Sequence, residues 1–178
     1  MGFSWILKDP YKPTFDVNPA DLHVSVALKD ASGSCPSPEY FVFYNNLKTP
    51  EGSVSLIGPT KGDDKLALRI NLDSVPANIT SLSVIVAVSP PSKGPTLKGT
   101  KQVNLRILDD AGNETHQCTL NPDDIGYSES CEFIQLSRDA TGWKVFPAMD
   151  PLLEFPGVAS RLAGLDAARL RKLAGPVA

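Results

Sequence analysis

Apolar and polar residues alternate along several stretches of this chain. The clearest stretch places Leu22, Val24, Val26 and Leu28 on one side and small or polar residues between them. The same alternation recurs in residues 66–72, 82–88 and 103–107. Period-two patterning predicts β-strands with one buried and one solvated face. We expect about eight or nine such strands, a number typical of an all-β, two-layer antiparallel β-sandwich.

Turn-forming residues separate the predicted strands. Clusters rich in Asp, Gly, Ser and Asn lie at residues 30–34, 109–113 and 138–142. Such residues favour tight turns because they tolerate unusual backbone angles or bond their own backbone. Residues 89–99 carry three prolines and two glycines, which predicts a loop between two strands.

The pattern changes after Gly157. Leu162, Leu165, Leu170 and Leu173 fall within one broad arc of a helical wheel, which predicts an amphipathic helix over residues 158–174. We therefore divide the chain into a sandwich domain, residues 1–150, and a C-terminal extension, residues 151–178. The apolar arc can pack on its own sandwich or dock a protein partner or neighbouring subunit. The four leucines are thus candidate partner-binding residues.

The length, composition and charge of the chain limit the classes of protein to which it can belong. A chain of 178 residues favours one domain, and 42% hydrophobic residues with 21% charged residues indicate a soluble globular protein. A net charge of −3 argues against a nucleic-acid partner. No apolar run reaches the roughly 18 residues of a membrane span, and the first residues do not match a secretion signal. We expect a cytoplasmic protein.

The cysteines and histidines of the chain offer few candidates for a zinc site, a disulfide or a catalytic base. The three cysteines lack the close spacing of a zinc site, and Cys118 and Cys131 could face each other across neighbouring strands. A reducing cytoplasm favours free thiols. His23 and His116 are the candidate bases near neutral pH, and neither lies in a catalytic motif. We therefore expect no enzymatic activity.

A longer set of motifs points to a family. Residues 41–47 read FVFYNNL, residues 50–54 read PEGSV, and residues 62–64 read GDD. In this order and spacing they resemble the tellurium-resistance, TerD-like stress-protein family. The similarity is clear over residues 21–88 and weaker up to residue 146.

The resemblance implies a β-sandwich that binds calcium through acidic loops and acts in resistance to tellurite and other stresses, without an established enzymatic activity. Carried onto this chain, the implied metal ligands are Asp21, Asp30, Asn45, Asn46, Asp63 and Asp64. An alternative for the last two is that their carboxylates cap a turn.

The chain departs from the family pattern around these ligands. His23 replaces the second carboxylate of the family's Asp-Leu-Asp, and the glycine-rich acidic loop is shortened to residues 58–61. Lys61 and Lys65 bracket the two aspartates. Calcium takes six to eight oxygen ligands and gains affinity from carboxylates, so these changes weaken the predicted site.

Two functions follow as hypotheses. The first is a non-enzymatic stress-response protein of this family with weakened calcium binding. The alternative is an assembly or scaffold module whose ion site has degenerated, and which self-associates or docks a partner through the sandwich surface and the C-terminal helix.

Overall fold

Ten β-strands make up most of the computed structural model in the residues that it describes: 2–7, 22–58, 66–88, 97, 100–108, 113–120 and 130–152. The strands are β1 (Gly2–Leu7), β2 (Leu22–Asp30), β3 (Phe41–Val42), β4 (Val54–Ile57), β5 (Leu66–Ile70), β6 (Ile79–Val88), β7 (Thr100–Leu108), β8 (Glu114–Leu120), β9 (Ser130–Asp139) and β10 (Gly142–Leu152). Two single 3-10 turns, Pro38–Tyr40 and Leu72–Ser74, lie between strands of the described part. The prediction of an all-β fold is confirmed.

The strands form two five-stranded sheets. The first sheet has the order β4-β5-β1-β7-β8, and the second has the order β10-β9-β6-β2-β3. Every pairing between named strands is antiparallel. Strand β1 was absent from the sequence-based list, yet it occupies the centre of the first sheet between β5 and β7.

One hydrophobic core joins the two sheets. The alternation of β2 is confirmed, because Leu22, Val24, Val26 and Leu28 all belong to this core. Other members from the second sheet are Val42, Leu82, Val84, Val86, Cys131, Phe133, Ile134 and Leu136, and the first sheet contributes Val54, Leu68, Val103 and Leu105. The sheets therefore pack through their inner faces, as sheets with one apolar face must.

The second sheet differs from the prediction of a half-solvated sheet. Its residues that point away from the core, such as Ser25, Ala27, Ser83 and Ile85, are buried as well. The alternation in the sequence identified only the strongly apolar face of these strands. The opposite face carries many small and hydroxyl side chains, which a hydrophobicity pattern does not count as buried. The expectation of a solvated outer face is wrong for this sheet.

The possibility, left open by the sequence, that Cys118 and Cys131 face each other across neighbouring strands does not hold. Cys118 lies in β8 of the first sheet and Cys131 in β9 of the second, so their strands are not neighbours. Cys131 is a buried thiol whose Sγ donates to the Glu132 carbonyl oxygen at 3.4 Å. Cys35 is a buried thiol too, and burial raises its pKa to about 12. It is therefore protonated at neutral pH.

Two predicted turns are present. Gly33 and Gly142 have φ angles of +80° and +121°, which glycine adopts at low cost. Gly33 N donates to Asp30 O at 3.0 Å, and Asp139 pairs with Gly142 across the β9–β10 turn. The predicted helix at residues 158–174, with its four leucines, lies outside the described residues. No helix in the described part is long and apolar enough to cross a membrane.

Candidate functional site

The start of β2 and the end of β3 meet at one end of the second sheet. Val26 pairs with Val42 and Ala27 with Phe41, so the chain after Phe41 runs back toward the start of β2. The ring of Tyr44 accordingly lies 5.2 Å from the ring of His23, centroid to centroid. His23 stands where the family pattern has a carboxylate, and its imidazole packs against an aromatic ring.

The Asn45-Asn46 pair closes a tight turn at this end. Phe43 N donates to Asn46 O and Asn46 N donates to Phe43 O, both at 2.9 Å. The Asn46 side-chain amide also donates to the carbonyl oxygens of Glu39 at 3.0 Å and Phe41 at 2.8 Å. Asn46 therefore holds the backbone before the turn, so its amide nitrogen has a structural role that the sequence did not indicate.

The chain after this turn runs alongside β4. Leu56 N donates to Leu47 O at 2.8 Å, and Lys48 forms an antiparallel bridge with Ser55. This register places the Asn45-Asn46 turn beside the end of β4, where the chain leaves Gly58 for residues 59–65. We call the region made of residues 22–23, 44–46 and 57–58 the asparagine end.

Five of the six predicted metal ligands lie in the asparagine end or in chain segments that lead from it. Asn45 and Asn46 form its turn, and Asp21 precedes Leu22 by one residue. Asp63 and Asp64 follow Gly58 in the segment that returns to β5. Asp21, Asp63 and Asp64 themselves lie outside the described residues.

Asp30 lies at the opposite end of β2. Strand β2 has nine residues from Leu22 to Asp30, so its two ends lie about 26 Å apart at about 3.3 Å per residue step. The Asp30 carboxylate accepts hydrogen bonds from Ser32 Oγ at 2.6 Å and Ser32 N at 2.8 Å. These bonds hold the pKa of Asp30 below its usual value. One ion cannot bind both Asp30 and the asparagine end, and Asp30 instead stabilises its turn.

A second polar cluster, missed in the sequence, supports the far end of the β3–β4 connection. Ser53 Oγ donates to the Glu51 carboxylate and lies 3.2 Å from Thr49 Oγ1, which accepts from Val54 N at 3.2 Å. Burial alone would raise the pKa of Glu51, but hydrogen bonds from Ser53, Thr49 and Tyr40 bring the pKa below its usual value. Thr49 and Ser53 are fully buried. The PEGSV stretch is thus a loop that its own hydrogen bonds hold in place.

The described donors alone do not form a calcium site. The asparagine end contributes one imidazole and two amides, and no group of three or more His, Cys, Asp or Glu residues that could hold a metal occurs in the described part of the chain. Calcium prefers six to eight oxygen ligands with several carboxylates. Calcium binding at this end therefore depends on Asp21, Asp63 and Asp64.

Comparisons with known proteins agree with the fold and the motifs. The model of the TerD domain family matches residues 1–150. The chain is 36% identical over 100 residues to general stress protein 16U of Bacillus subtilis (strain 168), an alignment that covers 53% of this chain and 51% of that relative. It therefore spans about half the length of this relative. It is 28% identical over 151 residues to the tellurium resistance protein TerD of an Alcaligenes species, covering 81% of this chain and 75% of the relative.

A solved structure shares the architecture. The crystal structure of a homologue of telluride resistance protein (TerD) from Streptomyces coelicolor A3(2) superposes with a TM-score of 0.67 at 16% identity, over 88% of this chain and 90% of that one. At this identity the likeness concerns the fold. The family model, by contrast, covers most of the chain, including the FVFYNNL and PEGSV stretches whose contacts are described above. This chain is therefore a member of the TerD domain family.

Proposed function

We propose that this protein is a non-enzymatic stress-response protein that binds calcium weakly at the asparagine end. The observation that carries the proposal is the convergence of three chain segments there. The turn at Asn45 and Asn46, the start of β2 and the end of β4 meet there. The start of β2 leads to Asp21, and the end of β4 leads to Asp63 and Asp64. The names of the relatives, a general stress protein and a tellurium resistance protein, support a role in stress response.

The expected affinity is low for an electrostatic reason. His23 offers nitrogen instead of an anionic oxygen, and Lys61 and Lys65 place positive charge near the two loop aspartates. Affinity for calcium falls as the number of carboxylates falls, and the weakest protein sites have Kd values of about 10⁻³ M. We expect a value in that range.

The test is calorimetric titration of the full chain with calcium, combined with thermal unfolding. At calcium concentrations about ten times Kd, binding to the native state alone stabilises it by about 1.4 kcal/mol. Asp63→Asn with Asp64→Asn should abolish the heat and the shift in Tm. Asp30→Asn is the matched control and should retain both, because Asp30 lies at the other end of β2. Restoring the carboxylate with His23→Asp should tighten binding.

Two outcomes would contradict the calcium proposal. The first is a wild-type protein that shows neither binding heat nor a rise in Tm with calcium. The second is loss of calcium binding in Asp30→Asn but not in the Asp63→Asn, Asp64→Asn variant, since that result would place the ion elsewhere.

Binding rather than catalysis is supported by the placement of the described candidate base. His23 lies in no catalytic sequence motif, and its partly buried ring packs on the ring of Tyr44. His116 lies in β8 of the first sheet, whereas His23 lies in β2 of the second sheet.

Self-association is a second candidate function, and one observation favours it. Val145 and Phe146 are exposed by 45% and 47% on β10, which is an edge strand of the second sheet. An edge strand with exposed apolar side chains on both of its faces favours contact with a second copy. Light scattering should then show an oligomer that Val145→Lys with Phe146→Lys converts to a monomer. A wild-type protein that stays monomeric at high concentration would rule out this function.

A further inference from the structure

The outer face of the second sheet is buried across its central strands. On this face Ser25 pairs with Ile85, Ala27 with Ser83, and Ala87 with Ser130. The exposed fractions are 3% for Ser25, 1% for Ala87, and 0% for Ala27, Ser83, Ile85 and Ser130. The first sheet packs against the opposite face, so it cannot account for this burial. Another part of the chain must cover the outer face.

Described residues cover only one margin of it. The rings of Phe41 and Phe43 lie 5.5 Å apart and those of Phe43 and Tyr44 lie 5.2 Å apart, forming a row beside β3. Strand β2 separates β3 from β6, and β9 lies farther still. These rings therefore do not account for the burial of β6 and β9.

The path of the chain selects the C-terminal extension. Leu152, the last residue of β10, pairs with Ser130 of this sheet, so the chain enters residues 153–178 from the second sheet itself. Residues 8–21, 89–99 and 121–129, by contrast, each join a strand of one sheet to a strand of the other, and Leu97 in the second of these segments belongs to the core between the sheets. The predicted helix of residues 158–174 would be about 25 Å long, close to the span of about 26 Å from end to end of β2.

We propose that residues 153–178 dock on the outer face of the second sheet. The arc of Leu162, Leu165, Leu170 and Leu173 packs against Ile85 and its small neighbours. Alanine and serine at the surrounding positions leave room for a helix to approach the sheet closely. The fold then has a third layer, and the leucine arc serves internal packing instead of binding a separate partner.

Two buried oxygen atoms of the outer face also favour the C-terminal extension, because it carries an arginine that can donate to them. Ser83 Oγ and Glu132 Oε1 are buried oxygens without a hydrogen-bond partner, and Glu132 pairs with Ile85 on this face. A buried carboxylate oxygen without a donor is costly, so the covering segment should bring a donor. Arg169 falls about 20° from Leu162 on a helical wheel, within the leucine arc. It supplies a guanidinium on the side of the helix that faces the sheet.

Ser83→Cys in the full chain gives a probe for this cover. The substitution is nearly isosteric, and Ser83 Oγ has no hydrogen bond to lose. We expect slow labelling of this thiol by a maleimide, with the labelled site identified by peptide mass spectrometry. Adding Leu165→Glu should raise the labelling rate at least about tenfold, because it detaches the helix. Adding Arg171→Glu, which lies opposite the arc, should leave the rate unchanged.

Two labelling results would overturn the proposal. One is fast labelling of Ser83→Cys in the otherwise unmodified chain, since the face would then be open in solution. The other is a slow rate that Leu165→Glu does not change while circular dichroism shows an intact fold, since another segment would then cover Ser83.

Photo-crosslinking tests the proposal if Leu165→Glu unfolds the protein. The full chain is produced with photo-leucine in place of leucine, irradiated and mapped by mass spectrometry. Links within a monomer from residues 153–178 to peptides of β6 or β9 are expected. Links found only in covalent dimers would assign the face to a second copy and overturn the proposal. Links from this segment only to the first sheet, or no links from it at all, would also overturn the proposal.

Discussion

At the scale of single residues, Arg138 joins parts of the chain that are distant in sequence. Its guanidinium donates to the carbonyl oxygens of Val75 at 2.8 Å and Pro76 at 3.0 Å, and it lies 4.5 Å from the centre of the Trp143 ring. The flat guanidinium suits both contacts, because it donates two bonds in its plane and stacks through its face. Arg138 therefore attaches the turn before β6 to the β9–β10 hairpin.

We expect Arg138→Lys to destabilise the protein by about 1–2 kcal/mol, because an ammonium keeps the charge but loses the paired donors. Arg138→Ala should cost about 2–3 kcal/mol by also removing the contact with Trp143. Urea unfolding measures both values. Arg69→Ala, at an exposed position, is the control and should change stability by less than about 0.5 kcal/mol. Equal stability of Arg138→Lys and wild type would refute a role for the paired bonds.

The carboxyl group of Asp139 makes the stability of the folded protein depend on pH in the acidic range. Hydrogen bonds from Lys144 and then Thr141 hold its pKa well below the ordinary value of 3.8. A carboxyl whose pKa is lower in the folded state adds stability above its unfolded pKa, and this stability is lost as pH falls toward the folded pKa. Asp139→Asn should therefore have a lower Tm than wild type at pH 6. The difference in Tm between the two proteins should shrink below about pH 3. A gap independent of pH would contradict this origin.

At the scale of elements, β6 is buried on both faces. Val84 and Val86 belong to the core between the sheets, whereas Ser83, Ile85 and Ala87 face the opposite side and are buried too. Strands buried on both sides usually read as continuous apolar runs. In β6 and β2 the second face carries serine and alanine, so the sequence looked like that of a half-solvated strand.

Ile85→Ala tests this burial. We expect a loss of about 2–4 kcal/mol in the free energy of unfolding, the range for an isoleucine truncated in a core. Val145→Ala removes an exposed apolar side chain from β10 of the same sheet and should cost less than about 0.5 kcal/mol. Urea unfolding compares the two. If Ile85→Ala costs no more than Val145→Ala, the outer face is solvated.

At the scale of the whole molecule, the topology depends on long-range pairing. Strand β1 lies between β5 and β7, with Gly2 paired to Ala67 on one side and to Arg106 on the other. The first residues of the chain thus connect the two halves of the first sheet. Since both sheets share one core, loss of this strand should affect the entire domain.

Deletion of residues 2–7 should therefore abolish cooperative unfolding and give a state that binds a hydrophobic dye, because β5 and β7 lose their common neighbour. Thermal unfolding followed by near-ultraviolet circular dichroism gives the readout. Replacing residues 2–7 by the shuffled sequence is the matched control for chain length and should behave like the deletion. A cooperative transition in the deletion variant would show that β1 is dispensable.

The sequence alone determined what local patterns can encode. Alternation located β2, β5, β6 and β7, turn residues located the turns at Gly33 and Gly142, and the FVFYNNL and PEGSV stretches indicated the family. Each of these signals arises from neighbouring residues, whose side-chain period and backbone preferences act over a few positions.

Only the tertiary structure decided which of these pieces meet. It placed β1 inside the first sheet, separated Asp30 from the asparagine end, and put Cys118 and Cys131 on different sheets. It also showed that Ser83 and Ile85 are buried on a face that the sequence suggested was solvated. These outcomes follow from strand pairing and layer packing between distant segments, and no local pattern records which distant segment a strand will contact.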